Sequence, residues 1–309
     1  MSSSNTAFSL TDLSSQLSST VGRASQYTVA IRARRRIPSS GIIWRDGLIV
    51  SASHTVRRDG RVGVTLPSGE SADATVVARD AETDLVLLRA EGLPAPAPRA
   101  ALNESSVGSL VLAVGRPGRA TTASFGIVSA AIHGYRTSHG RRVDGVLRLD
   151  LSVYDGFSGG PLVAASGGVI GLNNSALAGG AAAALPASVI DSIVDDLLSR
   201  GHVRRPYLGV AVHPVTVSAA TVGRLKLDST DGLLVLSIAD ETPAERAGML
   251  VGDVLLRING TPLAKTADLF DALLATKTGD TASIDLLRGG DLKTLNTTPV
   301  DRNSQGGDE

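Results

Sequence analysis

Ser158 sits in the run Gly156-Phe157-Ser158-Gly159-Gly160-Pro161-Leu162. Glycine at this density lets a backbone turn sharply and approach a ligand with no Cβ in the way. A serine on such a turn can present its Oγ to a carbonyl carbon. The N–H groups of Ser158 and Gly156 can then converge on one point, which an oxyanion needs. Serine attacks an amide only when a base takes its proton and a buried acid holds that base in the right tautomer. His54 follows an apolar strand in Ser51-Ala52-Ser53-His54, and Asp84 stands at the head of another in Glu82-Thr83-Asp84-Leu85-Val86. Taken singly, these are equally a glycine-rich hairpin, a loop histidine and a turn aspartate. Taken together, in the order His54, Asp84, Ser158, they supply base, orienting acid and nucleophile for acyl transfer.

Short strands must hold these three residues. Ile42-Ile43-Trp44 and Leu48-Ile49-Val50 flank Arg45-Asp46-Gly47, a hairpin signal, and the second of them leads into His54. Further strands are expected at 62–66, 74–78, 110–114, 125–130, 146–153 and 169–172. Leu93 to Pro98 reads LPAPAP, a stiff extended connector rather than part of the core. Repeated short strands without long intervening helices predict an antiparallel barrel or sandwich. Two helices stand apart from this pattern. Leu10, Leu13, Leu17 and Val21 recur at helical spacing after a Ser9 cap. Val189, Ile190, Ile193, Val194, Leu197 and Leu198 do so again, with Ser188 as cap and Gly201 as stop. The second helix closes the first domain, and a smaller unit begins after the short junction 202–206.

The bulk properties narrow the function. The chain has 309 residues, a length that favours about two domains. Lys plus Arg and Asp plus Glu each number 30, so nothing in the net charge argues for nucleic acid or an anionic membrane. The run Arg34-Arg35-Arg36 reads as a solvated turn. Aromatics make up 3%, so the cores must be aliphatic. There is no cysteine, which excludes disulfides, thiol catalysis and cysteine-ligated zinc. His133, His139, His202 and His213 lack metal-ligand spacing and are assigned to loops or surface. No metal site is expected, and no phosphate-cradling glycine motif precedes a helix, so no cofactor is expected either. No window is long and apolar enough to span a membrane. The N-terminus lacks a basic n-region and an apolar h-region. Taken as it stands, the sequence reads as cytoplasmic; the alternative is a periplasmic or other extracytoplasmic protein whose export signal was trimmed.

Three motifs in register resemble the trypsin-like protease domain of the HtrA (Deg) family. IVSASHTV resembles that family's histidine motif, AETDLVLLR its aspartate motif and GFSGGPLV its serine motif, while LVLAVGRPG and FGIVSAA match flanking strands. The resemblance implies a mostly β fold, with two antiparallel β-barrels of the chymotrypsin/trypsin type followed by one α+β PDZ domain. It implies His54 as general base, Asp84 as orienting acid, Ser158 as nucleophile, and the amides of Gly156 and Ser158 as oxyanion hole. Val153 is expected to face the substrate side chain before the scissile bond, with Ala183 among the alanines on another wall. Arg205-Pro206-Tyr207-Leu208-Gly209-Val210 resembles the family's PDZ carboxylate-binding loop, giving Tyr207, Leu208, Gly209 and Val210 as peptide-binding residues. The expected layout is an N-terminal segment with a short helix over 1–21, a protease domain over 22–201, a PDZ domain over 207–302 and a polar tail over 303–309.

The same resemblance implies ATP-independent cleavage of unfolded or damaged proteins, capture of peptide C-termini by the PDZ domain, and a homotrimer. Three departures from the family pattern stand near the site. Phe157 replaces an asparagine, Tyr154-Asp155 replaces Asn-Pro, and the loop after Leu172 reads NNSALAGGAAAALP, with alanines where the family has a glycine and an aromatic. They keep a second reading open: a catalytically silent, PDZ-bearing binding or chaperone protein on a protease scaffold.

Overall fold

The computed structural model describes residues 9–34, 36–136, 142–203, 206–276 and 279–301. His139 and the expected polar tail 303–309 lie outside the described residues. The chain divides into two compact units, Met1–Val203 and Arg204–Glu309.

The first unit opens with helix α1 (Leu10–Ser25), whose Ser9 side chain accepts from the Asp12 amide. Six strands follow: β1 (Thr28–Arg32), β2 (Ser39–Arg45), β3 (Leu48–Ala52), β4 (Arg61–Thr65), β5 (Ser71–Asp80) and β6 (Leu85–Arg89). They close a barrel in the order β1-β2-β3-β6-β5-β4. A second set comprises β7 (Leu110–Gly115), β8 (Thr122–Arg136), β9 (Arg142–Asp150), β10 (Pro161–Ala164), β11 (Val169–Asn173) and β12 (Ala183–Pro186). It closes in the order β10-β11-β12-β9-β8-β7, and every pairing in both barrels is antiparallel. The expected mostly β architecture with two antiparallel barrels is therefore present. The cores are aliphatic, as the composition requires, with Ile31, Ile42, Ile49, Leu85, Leu87, Leu88, Leu162 and Leu172 fully buried.

Helix α2 (Ala187–Arg200) closes this unit and buries Ile190, Ile193, Val194 and Leu197. Its cap is not Ser188 but Pro186, whose extended φ/ψ precedes the first turn without any side-chain hydrogen bond. Proline fits there because the missing N–H would be an orphan in any case. Gly201 ends the helix in the left-handed region. Trp44 Nε1 donates to Asp191 Oδ1 at 2.8 Å, and the Arg99 guanidinium stacks on the Trp44 ring, so one indole pins the helix to the first barrel. The LPAPAP connector is extended, but Ala97 within it is buried and donates to Ile43 O at 2.9 Å. The rest of the connector stays outside the core, with Pro94, Ala95 and Pro98 exposed.

The second unit contains β13 (Pro206–Tyr207), β14 (Val210–Thr216), α3 (Ala219–Leu225), β15 (Asp231–Ile238), α4 (Pro243–Arg246), β16 (Val254–Ile258), β17 (Thr261–Pro262), α5 (Thr266–Ala275), β18 (Ala282–Arg288), β19 (Asp291–Thr297) and β20 (Val300–Asp301). Its main sheet runs β14-β15-β16-β18-β19, leaving β14 at an edge, and β13 pairs with β20. Leu208, Leu233, Val235, Leu255, Leu269, Leu273, Ile284 and Leu286 build a separate aliphatic core. Among the described residues, no helix is long and apolar enough to cross a membrane.

Candidate active site

The pairing of β3 with β6 brings His54 and Asp84 together. Ala52, the last residue of β3, lies opposite Leu85, the first of β6, so the residues just beyond them meet at one end of the barrel. His54 then sits in a single 3-10 turn (Ser53–Thr55). Ser53 N donates to Asp84 O at 2.8 Å, which closes the corner. Asp84 occupies the left-handed region at φ 58°, uncommon for a residue with a side chain, and this aims its carboxylate back at the histidine. Oδ1 accepts from the His54 amide at 2.7 Å, while Oδ2 lies 2.5 Å from His54 Nδ1. Asn174 Nδ2 donates to the same Oδ2 at 2.9 Å. An ionised carboxylate so engaged can only accept, so the proton stays on Nδ1 and the Nε2 lone pair is free to act as a base.

Ser158 lies in the connection from β9 to β10, and the first barrel holds that connection in place. Ser40 of β2 takes the Ser158 carbonyl on its amide at 3.2 Å and donates its hydroxyl to Gly156 O at 2.6 Å. The same hydroxyl accepts from Arg116 N at 2.7 Å. Gly159 N and Asn173 O, and Asn173 N and Gly160 O, form a reciprocal pair at 2.8 Å each, clamping the turn to β11. Neither Gly156 N nor Ser158 N finds an acceptor among the described residues. Two unclaimed amides on the serine turn, one of them the serine's own, are what an oxyanion would use.

Phe157 departs from the family pattern yet stays clear of this turn. Its ring is fully buried among Val111, Ala113, Val128 and Leu162 and meets Tyr154 edge-on at 5.5 Å. Gly115 makes the space for it, since a Cβ there would stand 2.7 Å from the Phe157 ring. The Ser158 hydroxyl is not hydrogen-bonded to His54. It lies 3.0 Å from Ser175 Oγ, and Ser175 N also points to it at 3.4 Å. Asn174, Ser175 and Ser40 went unassigned in the sequence; the polar pair within NNSAL, directly after a strand, was the only available signal.

The two proposed pocket residues do not share one surface. Val153 packs with Ala182 against the core of the second barrel, whereas Ala183 is buried on the opposite face of β12 with Leu172, Leu177 and Leu185. Strand alternation accounts for this, because successive residues point to opposite faces. Asp155 is exposed.

In the second unit, Leu208 is buried and Gly209 lies at φ 88°, where a Cβ would fall 2.3 Å from Thr242 Cβ. The carbonyls of Leu208 and Gly209 accept from Ala244 and Ala239 at 2.9 Å each, while their amides take no acceptor among the described residues. Tyr207 pairs with Val300, and Val210 opens the edge strand β14 opposite Ile238. Helix α5 packs alongside that strand.

Residues 39–172 match the trypsin-like peptidase domain model, and residues 206–298 match the PDZ domain model. The putative serine protease HhoA of Synechocystis sp. is 35% identical over 275 residues, which cover 82% of this chain and 69% of that protein. A probable periplasmic serine endoprotease, DegP-like, of Rhizobium meliloti is 35% identical over 279 residues, 86% of this chain and 53% of that protein. The chain thus spans just over half the length of that relative. Among solved structures, the HtrA-type protease AlgW with tripeptide superposes with a TM-score of 0.76 at 27% identity, covering 92% of this chain and 97% of that one.

Proposed function

Because the chain belongs to the HtrA (Deg) family of trypsin-like serine proteases with a PDZ domain, we propose that it is an ATP-independent serine endopeptidase working through Ser158, His54 and Asp84. The observation that carries this reading is the Asp84–His54 contact at 2.5 Å, made on the nitrogen that leaves Nε2 free. In the reaction, Ser158 Oγ turns from Ser175 to His54 and gives up its proton to Nε2 as it attacks the scissile carbonyl. The amides of Gly156 and Ser158 receive the oxyanion. The imidazolium, held by Asp84, passes its proton to the leaving amine, and water then repeats the sequence to release the acyl group.

The substrates are unfolded or damaged polypeptides. The unclaimed amides of Leu208 and Gly209 take a peptide's terminal carboxylate, and its backbone extends the sheet at β14. Tyr207 and Val210 flank that loop. Val153 faces the residue before the scissile bond, and Ala182, which packs on the same barrel core, supplies another wall, favouring small or medium aliphatic side chains. The working assembly is a homotrimer. Relatives named as periplasmic favour an extracytoplasmic setting over the cytoplasm.

The Ser158–Ser175 contact favours a second reading, a silent scaffold that binds without cutting. One experiment separates the two. Wild type should hydrolyse casein and label with a fluorophosphonate, and Ser158→Ala should do neither, the unit losing on the order of a millionfold in turnover. Equal casein hydrolysis by the two purified proteins would remove the assignment.

A further inference from the structure

Positive and negative side chains balance over the whole chain, but not around His54. Arg34, Arg36, Arg57, Arg58 and Arg61 are all exposed there, and none forms an ion pair among the described residues. Arg34 Nη2 donates to the His54 carbonyl at 3.3 Å. Arg79 ties down the following loop through Val56 O at 2.8 Å, Arg58 O at 3.1 Å and Ser53 Oγ at 3.3 Å, so Arg57 and Arg58 are carried at a fixed place beside the base. Strand β1 pairs with β4 up to Arg32 opposite Gly63; Arg34 follows the end of β1 by two residues, and Arg61 is the first residue of β4. Arg36 lies in the segment that runs from Arg34 to Pro38. Pro38 O abuts the nucleophile turn: a Cβ on Gly156 would come within 2.8 Å of it. Arg34 at the base and Pro38 at the oxyanion turn therefore bracket the reacting centre, and Arg36 lies between them in the chain.

The acids near this rim are few or engaged. Asp59 is paired with Arg79 at 2.5 Å, Asp84 is committed to His54, and Asp73 lies across β4 opposite Gly63. The rim is thus a local excess of cations on the histidine side.

That side has a chemical meaning. The imidazole delivers its proton to the leaving amine, so the polypeptide that follows the scissile bond departs alongside His54 and its loops. We propose that Arg36, Arg57 and Arg58, with Arg34 and Arg61 behind them, form a binding surface for acidic side chains in the substrate residues just after the scissile bond. The inference rests on the endopeptidase reading and names a substrate class for it: polypeptides with acidic stretches on the leaving side. Single exposed ion pairs are weak and screened by salt. Several cations acting on two carboxylates raise capture together, by roughly fivefold to tenfold at low ionic strength.

Two quenched fluorescent peptides test this. Both carry a small aliphatic residue before the scissile bond; one has Glu and the other Gln at the second and third positions after it. The readout is the ratio of their kcat/KM values with the full chain, with mass spectrometry establishing that both are cut at the same bond. The Glu peptide should be preferred roughly fivefold to tenfold at low salt, and the ratio should approach one near about 0.5 M salt. The combined variant Arg36→Ser, Arg57→Ser, Arg58→Ser should lower the ratio toward one at both ionic strengths. Equal rates in the wild type, a ratio that ignores salt, or a ratio retained by the variant would overturn the rim while leaving the protease intact. Cleavage of neither peptide, together with no fluorophosphonate label on Ser158, would overturn the endopeptidase reading and the rim with it.

Discussion

The Ser158 hydroxyl lies 3.0 Å from the Ser175 hydroxyl, and the two form a hydrogen bond that neither makes with His54. To attack a substrate, Ser158 must leave this partner. A neutral hydrogen bond contributes about 1 kcal/mol net, so the exchange slows the reaction by about fivefold if His54 restores none of it and by less if it restores part. Ser175→Ala is therefore expected to accelerate fluorophosphonate labelling by roughly twofold to fivefold. Timed labelling of both proteins, followed by gel fluorescence, gives the two rate constants. A variant that labels no faster would mean that the contact costs the reaction nothing.

Much of this arrangement is legible in the sequence, because each piece depends on local residues. Strand periodicity marked β2, β3 and β7, and the glycines of the serine turn announced a close approach of backbone. What escaped reading was set by tertiary contact. Strand β12 is only Ala-Ala-Leu-Pro at the end of a stretch of alanines and glycines, with no alternation to mark it; its partners β9 and β11 define it. Ala183 was assigned to a pocket wall because sequence gives the residue type but not the face, and a one-residue difference in register exchanges the two. Phe157 looked disruptive beside the nucleophile because Gly115, 42 positions earlier, is what makes room for its ring. The polar pair Asn173-Asn174 marks a site only weakly, since the link of Asn174 to Asp84 joins residues 90 positions apart.

Gly209 gives a direct test of the second unit. Its φ of 88° suits glycine, and a Cβ would collide with Thr242. Gly209→Val must therefore displace the loop that presents the Leu208 and Gly209 amides. Binding of a fluorescein-labelled peptide with a hydrophobic C-terminus, read by anisotropy on the full chain, is expected to weaken at least about tenfold, the scale of a lost charge-assisted hydrogen bond. The same peptide with an amidated C-terminus should bind the wild type comparably poorly. If amidation changes nothing, the loop does not hold a carboxylate. Thermal melting of the variant separates a displaced loop from a collapsed core.

Asp253 and Arg288 make the stability of the second unit depend on pH. The Asp253 side chain is almost wholly buried and accepts from Arg288 Nε at 2.8 Å, Arg288 Nη2 at 2.7 Å and Leu250 N at 2.8 Å. Burial alone would raise its pKa; the Arg288 hydrogen bonds, the Leu250 amide and the nearby positive charges outweigh it and hold the carboxyl below its ordinary value. A folded pKa below the unfolded one means that the unfolded chain binds the proton first. The stabilisation is therefore complete above the ordinary carboxylate pKa of about 4 and is lost as pH falls through the lower folded value. Asp253→Asn removes the charge and is expected to cost about 2–4 kcal/mol at neutral pH, because Arg288 keeps its charge and loses its partner. Hydrogen exchange of the β16 and β18 amides in the full chain, followed from about pH 7 to pH 3 and corrected for intrinsic rates, measures the difference. It should shrink steadily below about pH 4 as the wild-type carboxyl takes up its proton. A gap that stays constant across that range would show that the side chain's shape, and not its charge, supports this part of the fold.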